Sequence, residues 1–271
     1  MTRRHFVRVS RAVAPITTAV AIALSLAPNV SAAPLFVGDY STGNFSQWPT
    51  VQARGYNDSA SDYVPTYSAR VVQDPDKGQV ARYEVRPGDV PPFGGGERSE
   101  VQGGTVSGGV EGQTRWYRFS TRFDPSYPAN HADLGWAVTN QWHAYAGGSP
   151  PVSWTTSMKN GYWSLTIEKQ SAPDEYLGQL SIFDTPLDVG QWHDVMMAIH
   201  WSSSDDRGWV RLWLNGVQQT LANGDDTYFV RTLIPGTTEV YYKEGVYREP
   251  TSSTDIVYHT GFRAAGSALS L

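Results

Sequence analysis

Three short segments of this chain carry side chains that could hold an anion and move protons. The first is Gly96-Glu97-Arg98-Ser99-Glu100-Val101-Gln102. On a strand successive side chains alternate, so Arg98, Glu100 and Gln102 share one face. The second is Asn140-Gln141-Trp142-His143, where Gln141 and His143 share a face and Trp142 takes the other. The third is Tyr241-Tyr242-Lys243-Glu244-Gly245-Val246-Tyr247, which puts Tyr241, Lys243 and Tyr247 on one side. Arg pairs bidentately with carboxylates. His, Tyr and Lys are groups for general acid–base work. Taken singly each segment is weak. A lone strand His is usually a hydrogen-bonded structural residue, and an Arg-x-Glu strand is usually a surface ion pair.

The elements that must position these segments read as strands. Tyr117, Phe119 and Phe123 alternate with Trp116, Arg118, Ser120 and Arg122. Val210, Leu212 and Leu214 alternate with Trp209, Arg211 and Trp213 and end in an Asn215-Gly216 turn. Trp163, Leu165 and Ile167 repeat the pattern, as do Val195, Met197 and Ile199. Turn clusters such as Asp74-Pro75-Asp76-Lys77-Gly78 and Asn223-Gly224-Asp225-Asp226 punctuate them. Many short strands with such turns predict an all-β sandwich of two antiparallel sheets. Aromatic and Arg residues opposite the aliphatic face suit a curved sheet whose concave side stacks on sugar rings and pairs with carboxylates.

Composition narrows the partners. The chain has 271 residues and no Cys, which excludes a disulfide scaffold and a Cys-ligated metal. Residues 1–33 read as a signal peptide, with a basic start, an apolar run from Ala12 to Ala27 and a small-residue end at Ala32-Ala33. The Arg3-Arg4 pair resembles a twin-arginine export signal, so a bacterial, secreted protein is expected. Cleavage near Ala33 removes four arginines and no acid. The charged count falls from 21 basic and 26 acidic residues to 17 and 26, a net charge of −9. That balance disfavours nucleic acid. One domain is expected over 34–271, acting as a monomer with no membrane contact after cleavage.

Together and in this order, RSEVQ, QWH and YYKEGVY resemble the motifs of jelly-roll polysaccharide lyases that act on uronic-acid polymers. Alginate lyases of this fold carry Arg-Ser/Thr-Glu-Leu-Arg, Gln-Ile/Val-His and Tyr-Phe-Lys-Ala-Gly-x-Tyr. The early Gly43-Asn44-Phe45-Ser46-Gln47-Trp48 and the later Gln191-Trp192-His193-Asp194 are similar to segments of the heparin lyase I-like and glucuronan lyase group. The resemblance implies a jelly-roll (concanavalin A-like) sandwich with a substrate cleft. It implies that Arg98 and Gln141 neutralise the substrate carboxylate and that His143 is base or charge neutraliser. It makes Tyr247 the proton donor, with a second role as base left open. Lys243 and Tyr241 would support the cleft, with Glu100, Gln102, Arg118 and Arg122 as further substrate-binding residues. His193 repeats the tripeptide, but the lyase order favours His143. His131, His200 and His259 have no motif around them.

The chemistry would be β-elimination from a 4-linked uronan. The C5 proton becomes acidic only when the neighbouring carboxylate is neutralised, and the O4 glycoside then leaves. A tyrosine acting as base needs cationic neighbours, for which Lys243, Arg98 and a charged His143 are candidates. In D-glucuronate or D-mannuronate the C5 hydrogen and O4 leave from one side, so one tyrosine could serve both. In the L-epimers they lie on opposite sides, which suits His143 as base and Tyr247 as acid. Three departures weaken alginate specificity: Gln102 for the second Arg, Glu244 for Ala, and Arg248-Glu249 for Asn-Gln. Alternation places Glu244 with Tyr242, away from Lys243, and an outward orientation is expected. Heparin would favour a strongly basic cleft, and the chain has only 4 Lys, so glucuronan is the expected substrate. Alginate and a non-catalytic carbohydrate-binding module are the alternatives. A glycoside hydrolase would need paired carboxylates on one strand, which the chain lacks. No cofactor is required. The Asp74–Asp76 and Asp225–Asp226 loops offer oxygens for a structural Ca²⁺, but their spacing is that of turns.

Overall fold

The computed structural model describes residues 1–2, 32–145 and 147–271. Residues 3–31 of the expected signal peptide therefore lie outside the described residues. The chain divides into two units, Met1–Ser31 and Ala32–Leu271, and every described strand belongs to the second.

Its strands, in chain order, are β1 (Phe36–Gly38), β2 (Thr50–Ala53), β3 (Tyr56–Ser59), β4 (Ala69–Asp74), β5 (Gly78–Val85), β6 (Glu97–Gln102), β7 (Gly109–Val110), β8 (Thr114–Phe123), β9 (Ala137–Ala144), β10 (Val152–Thr155), β11 (Tyr162–Gln170), β12 (Tyr176–Pro186), β13 (Trp192–His200), β14 (Trp209–Leu214), β15 (Val217–Gln218), β16 (Tyr228–Phe229), β17 (Glu239–Arg248) and β18 (Asp255–Ala265). They form two sheets. The first runs β15-β14-β13-β8-β18-β5-β4, with β1 beside β18 and β16 beside β14. The second runs β12-β11-β10-β9-β17-β6-β2-β3, with β7 beside β17. Every strand pair in register is antiparallel, as the alternation predicts.

The core lies between the sheets and is strongly aromatic. The first sheet sends in Tyr117, Phe119, Val195, Met197, Val210, Leu212 and Phe262. The second sends in Val101, Trp142, Trp154, Trp163, Leu165 and Tyr242. Tyr242 stacks on Phe262 at 3.8 Å between ring centroids, and Trp142 meets Tyr117 edge-on at 5.0 Å. Phe45 and Trp48 of the early segment also enter this core. Each such ring removes a large apolar area from water, and the tilted pairs add specificity of packing.

The two sheets differ on their outer faces. On the first, Arg118 is exposed between buried Tyr117 and Phe119, as half-buried alternation requires. On the second, β6, β9, β10 and β11 are buried on both faces. Their outward side chains are nevertheless polar: Arg98, Glu100, Gln141, Ser153, Thr155 and Thr166. A polar sheet face withdrawn from water must satisfy its own hydrogen bonds.

Arg248 shows the same economy on the core side. It is fully buried and pairs with Glu97 at 2.9 Å and Asp255 at 2.8 Å, both buried carboxylates. It ties β17 to β6 and β18 at the end that carries Tyr247. Arg248→Met should strand two buried carboxylates and cost about 3–5 kcal/mol, read as a lower midpoint in urea unfolding. A loss below about 1 kcal/mol would show that the two acids are not held by this guanidinium.

Candidate active site

The topology makes β17 the middle strand between β6 and β9, so the three motifs lie side by side. In register, Tyr247 faces Arg98, Lys243 faces both Gln102 and Gln141, and Tyr241 faces His143. Gly245 faces Glu100. It adopts a φ of +144°, and a Cβ there would lie 2.2 Å from the Ser99 carbonyl oxygen, so only glycine fits. Here β17 also carries a bulge against β9: between the Glu244–Asn140 and Tyr247–Val138 pairs, Gly245 and Val246 oppose the single residue Thr139. A second irregularity between Trp154 and Thr155 shifts the β9–β10 pairing at the same level. Bulges re-aim side chains. Val138 thereby lines the cleft, while Asn140 turns inward to donate to the Tyr242 hydroxyl at 2.7 Å.

Glu100 is the hub of the polar face. It is 2% exposed. Its carboxylate accepts from Arg98 Nη1 at 3.2 Å and from Gln141 Nε2 at 2.9 Å, and it is bound tightly by Lys243 Nζ. Two cations around one anion leave a net charge of +1. Burial pulls the Lys243 pKa down, with Glu100 opposing that shift. Two buried polar atoms, Arg98 Nε and Gln141 Oε1, have no hydrogen-bond partner among the described residues. They are hydrogen-bonding capacity left over for a ligand. The Arg98 guanidinium lies flat on the Tyr247 ring at 3.8 Å and reaches the Phe93 ring at 4.9 Å.

His143 is fixed in one tautomer. Its Nδ1 lies 2.8 Å from the Ala144 carbonyl oxygen, which can only accept, so Nδ1 carries the hydrogen and Nε2 is the acceptor nitrogen. Burial, then the Lys243 charge, holds its pKa below the ordinary value of 6.5. The imidazole is therefore neutral at neutral pH, against the expectation of a charged His143. It stacks on Tyr241, which also packs against Tyr145 at 4.5 Å. Burial pushes the Tyr241 pKa up to about 12, so this phenol stays protonated.

His143 and Tyr247 share the wall of one cleft of about 370 Å³. Trp136, packed on the Tyr247 ring at 5.9 Å, is another part of it. Beyond lie Ser153, Thr155, Glu168, Tyr176 and Gln179 from β10, β11 and β12. Sequence reasoning missed Trp136, Tyr145 and Glu168. Trp136 and Tyr145 flank β9 and could have been sought as aromatic neighbours of the His143 motif. Glu168 has no motif around it.

Other expected site residues lie elsewhere. Arg118 and Arg122 sit on β8, in the first sheet, with side chains on the opposite outer surface. They are not cleft residues. Arg122 is spent there, bound to Asp74 at 2.8 Å and packed between the Trp192 and Tyr258 rings. Glu244 does not face outward. It is fully buried, takes hydrogen bonds from Tyr40 at 2.5 Å and Tyr242 at 3.0 Å, and burial raises its pKa to about 8. Gln102 lies half-buried opposite Lys243. His193 packs into the core with Nε2 on the Leu187 carbonyl, and His259 is fully buried, its pKa pulled down to about 3 by burial. In the acid-rich loops, Asp74 accepts from the Asp76 and Lys77 amides, and Asp226 accepts from Thr227 and Gln218.

A model of the polysaccharide lyase family matches residues 40–263. The chain belongs to this family and is an enzyme of the polysaccharide lyase class. Among solved structures it is similar to the endo-β-1,4-glucuronan lyase of the fungus Trichoderma reesei, at TM-score 0.62 and 16% identity, covering 87% of this chain and 96% of that one. It is also similar to alginate lyase A1-II′, at TM-score 0.56 and 14% identity, covering 80% and 94%. A third is the catalytic domain of a glycoside hydrolase family 131 protein from Coprinopsis cinerea, at TM-score 0.52 and 11% identity, covering 88% and 96%. These likenesses establish the jelly-roll sandwich. No curated protein matches the chain. Among the described residues no helix is long and apolar enough to cross a membrane.

The charges around His143 make its titration a direct probe of this geometry. An NMR titration should place its midpoint below 6.5. Lys243→Met should move the midpoint upward, because a lowering charge is lost while Glu100 remains. An unchanged midpoint would mean that the ammonium does not face the ring.

Proposed function

We propose that the enzyme cleaves a 4-linked, unsulfated uronan, with glucuronan as its best substrate, by β-elimination. The observation that carries this reading is the joined set of Arg98, Gln141, His143 and Tyr247 on adjacent strands around Glu100. Counting Lys243, which also binds Glu100, the set has a net charge of +1, and it has spare hydrogen-bonding capacity on Arg98. That suits one carboxylate per subsite and does not suit densely sulfated chains.

In this reading Arg98 binds the uronate carboxylate at the cleavage site, Gln141 hydrogen-bonds beside it, and Arg98 stabilises the charge that grows on that carboxylate as C5 loses its proton. Glu100 takes no part in the bond changes. It holds Arg98, Gln141 and Lys243 in place. The C5–H and C4–O4 bonds break, a C4=C5 double bond forms, and the O4 of the leaving chain gains a proton. On a D-glucuronate residue both atoms depart from one side, so Tyr247 carries the proton from C5 to O4. On an L-epimer the neutral Nε2 of His143 is the base and Tyr247 the acid. Tyr241 and Tyr145 supply ring faces for the sugar. Export by a twin-arginine signal, with cleavage near Ala33 and action as a secreted bacterial monomer, belongs to the same proposal. It is supported by the Arg3-Arg4 start and by a chain that needs no disulfide to fold before export.

Incubation with glucuronan, alginate and heparin should give ultraviolet-absorbing unsaturated ends fastest from glucuronan. Tyr247→Phe should lower kcat on glucuronan by roughly a thousandfold or more. His143→Ala should cost less on the same polymer. Equal losses would show that the imidazole takes the C5 proton, and absorbance from none of the three would overturn the reading.

A further inference from the structure

The arginine that failed to reach the cleft lies in a groove of its own. The outer face of the first sheet carries a cavity of about 760 Å³, larger than the cleft and within the range of small-ligand sites. One cross-strand row underlies it: Trp213 on β14 opposes Met196 on β13, Met196 opposes Arg118 on β8, and Arg118 opposes Arg263 on β18, the first three of these lining the cavity. Adjacent strands lie about 4.8 Å apart, so an indole and a guanidinium stand roughly 10 Å from one another at the backbone. Trp116, two residues from Arg118 on the same face, widens the platform, with its ring 5.4 Å from that of Trp213.

The charges in this row do not cancel. Two arginines directly opposite each other repel. Asp39 answers Arg263 at 3.3 Å, and Asp194 answers Lys77 at 2.5 Å. Arg118 is exposed and makes no ion pair among the described residues, so its guanidinium is open to a ligand. Burial and Arg263 work against the Arg118 charge, and Asp39 favours it. An anion between the two guanidiniums would relieve the repulsion, and a flat ring beside it would stack on the indole.

We propose that this groove is a second, non-catalytic polysaccharide-binding site. It would take a uronate carboxylate on Arg118 and the neighbouring pyranose on Trp213, and so hold the polymer on the face opposite the cleft. The uronate part of this proposal rests on a uronan being the substrate of the cleft; the ring platform does not.

The test measures retardation in gels containing glucuronan, using Tyr247→Phe protein so that the polymer survives. Arg118→Ala and Trp213→Ala, each added to that background, should weaken retention by roughly tenfold. In the otherwise native enzyme the same two changes should leave kcat on a short oligosaccharide unchanged and slow only polymer degradation. Thermal midpoints guard against misfolding, and Arg118→Lys should restore part of the retention. Retention unchanged in both variants overturns the second site. If glucuronan is cleaved and retention is unchanged, the second site alone fails. If no uronan is cleaved but retention falls in both variants, the uronan-lyase reading fails and this site stands. Retention in gels of sulfated polymer equal to that in glucuronan, and weakened as much by Arg118→Ala, would overturn carboxylate selectivity.

Discussion

The site depends on one buried carboxylate. Withdrawing Glu100 from water is costly, and only the cations and amide that reach it offset the loss. Those partners come from three different strands: Arg98 from its own β6, Gln141 from β9, and Lys243 from β17. The carboxylate therefore does for the cleft what a ladder of hydrogen bonds does for the backbone. It fixes long, flexible side chains in one arrangement before any ligand arrives. The arrangement stays cationic because two positive groups share one negative partner. A site neutralised completely would hold no carboxylate. One with no internal anion would leave two cations repelling each other in a poorly solvated place.

The neighbouring strand carries the converse design on its other face. Glu244 is one residue from Lys243, yet it meets Tyr40, Tyr242 and the aromatic core. Its raised pKa means that burial has won over the two phenolic hydrogen bonds. Arg248 then closes the same strand on Glu97 and Asp255. Between these two anchors lies the bulge at Gly245 that sets the direction of Tyr247. The Tyr247 phenol is thus aimed by backbone geometry held at both ends, and further held by the Arg98 guanidinium over its ring.

Period-two alternation made the faces of the three motifs legible. Arg98 with Glu100, Gln141 with His143, and Tyr241 with Lys243 all fall together where the pattern puts them. Alternation says which residues share a face, but not which of two outer surfaces that face becomes. Arg118 and Arg122 were misplaced for that reason: β8 looks like a cleft strand until its sheet is known. Glu244 was misjudged because a carboxyl group beside aromatic residues reads as solvent-facing unless its phenolic partners are seen, and Tyr40 lies far off in the chain. The bulge at Gly245 left no trace in the pattern, since it keeps the parity of Lys243 and Tyr247 on β17 and shows only against β9. The two Gln-Trp-His tripeptides show the limit most plainly. They are identical in sequence, yet one histidine lines the cleft on the second sheet and the other packs into the core from the first.

The scaffold itself does not choose the reaction. A sandwich of this shape is shared with a glycoside hydrolase domain as well as with lyases, so the chemistry has to be argued from side chains and not from the fold. Net charge does not choose the ligand either. The segment after Ala33 has an excess of acid, yet two cations meet one carboxylate at Glu100, and Arg118 makes no ion pair among the described residues. At physiological ionic strength the field of an exposed charge fades over about 8 Å. Carboxylates scattered over the rest of the surface are therefore screened from the groups around Glu100. What matters on this polar face is the balance among the few groups within that distance, and here the balance is set by Glu100.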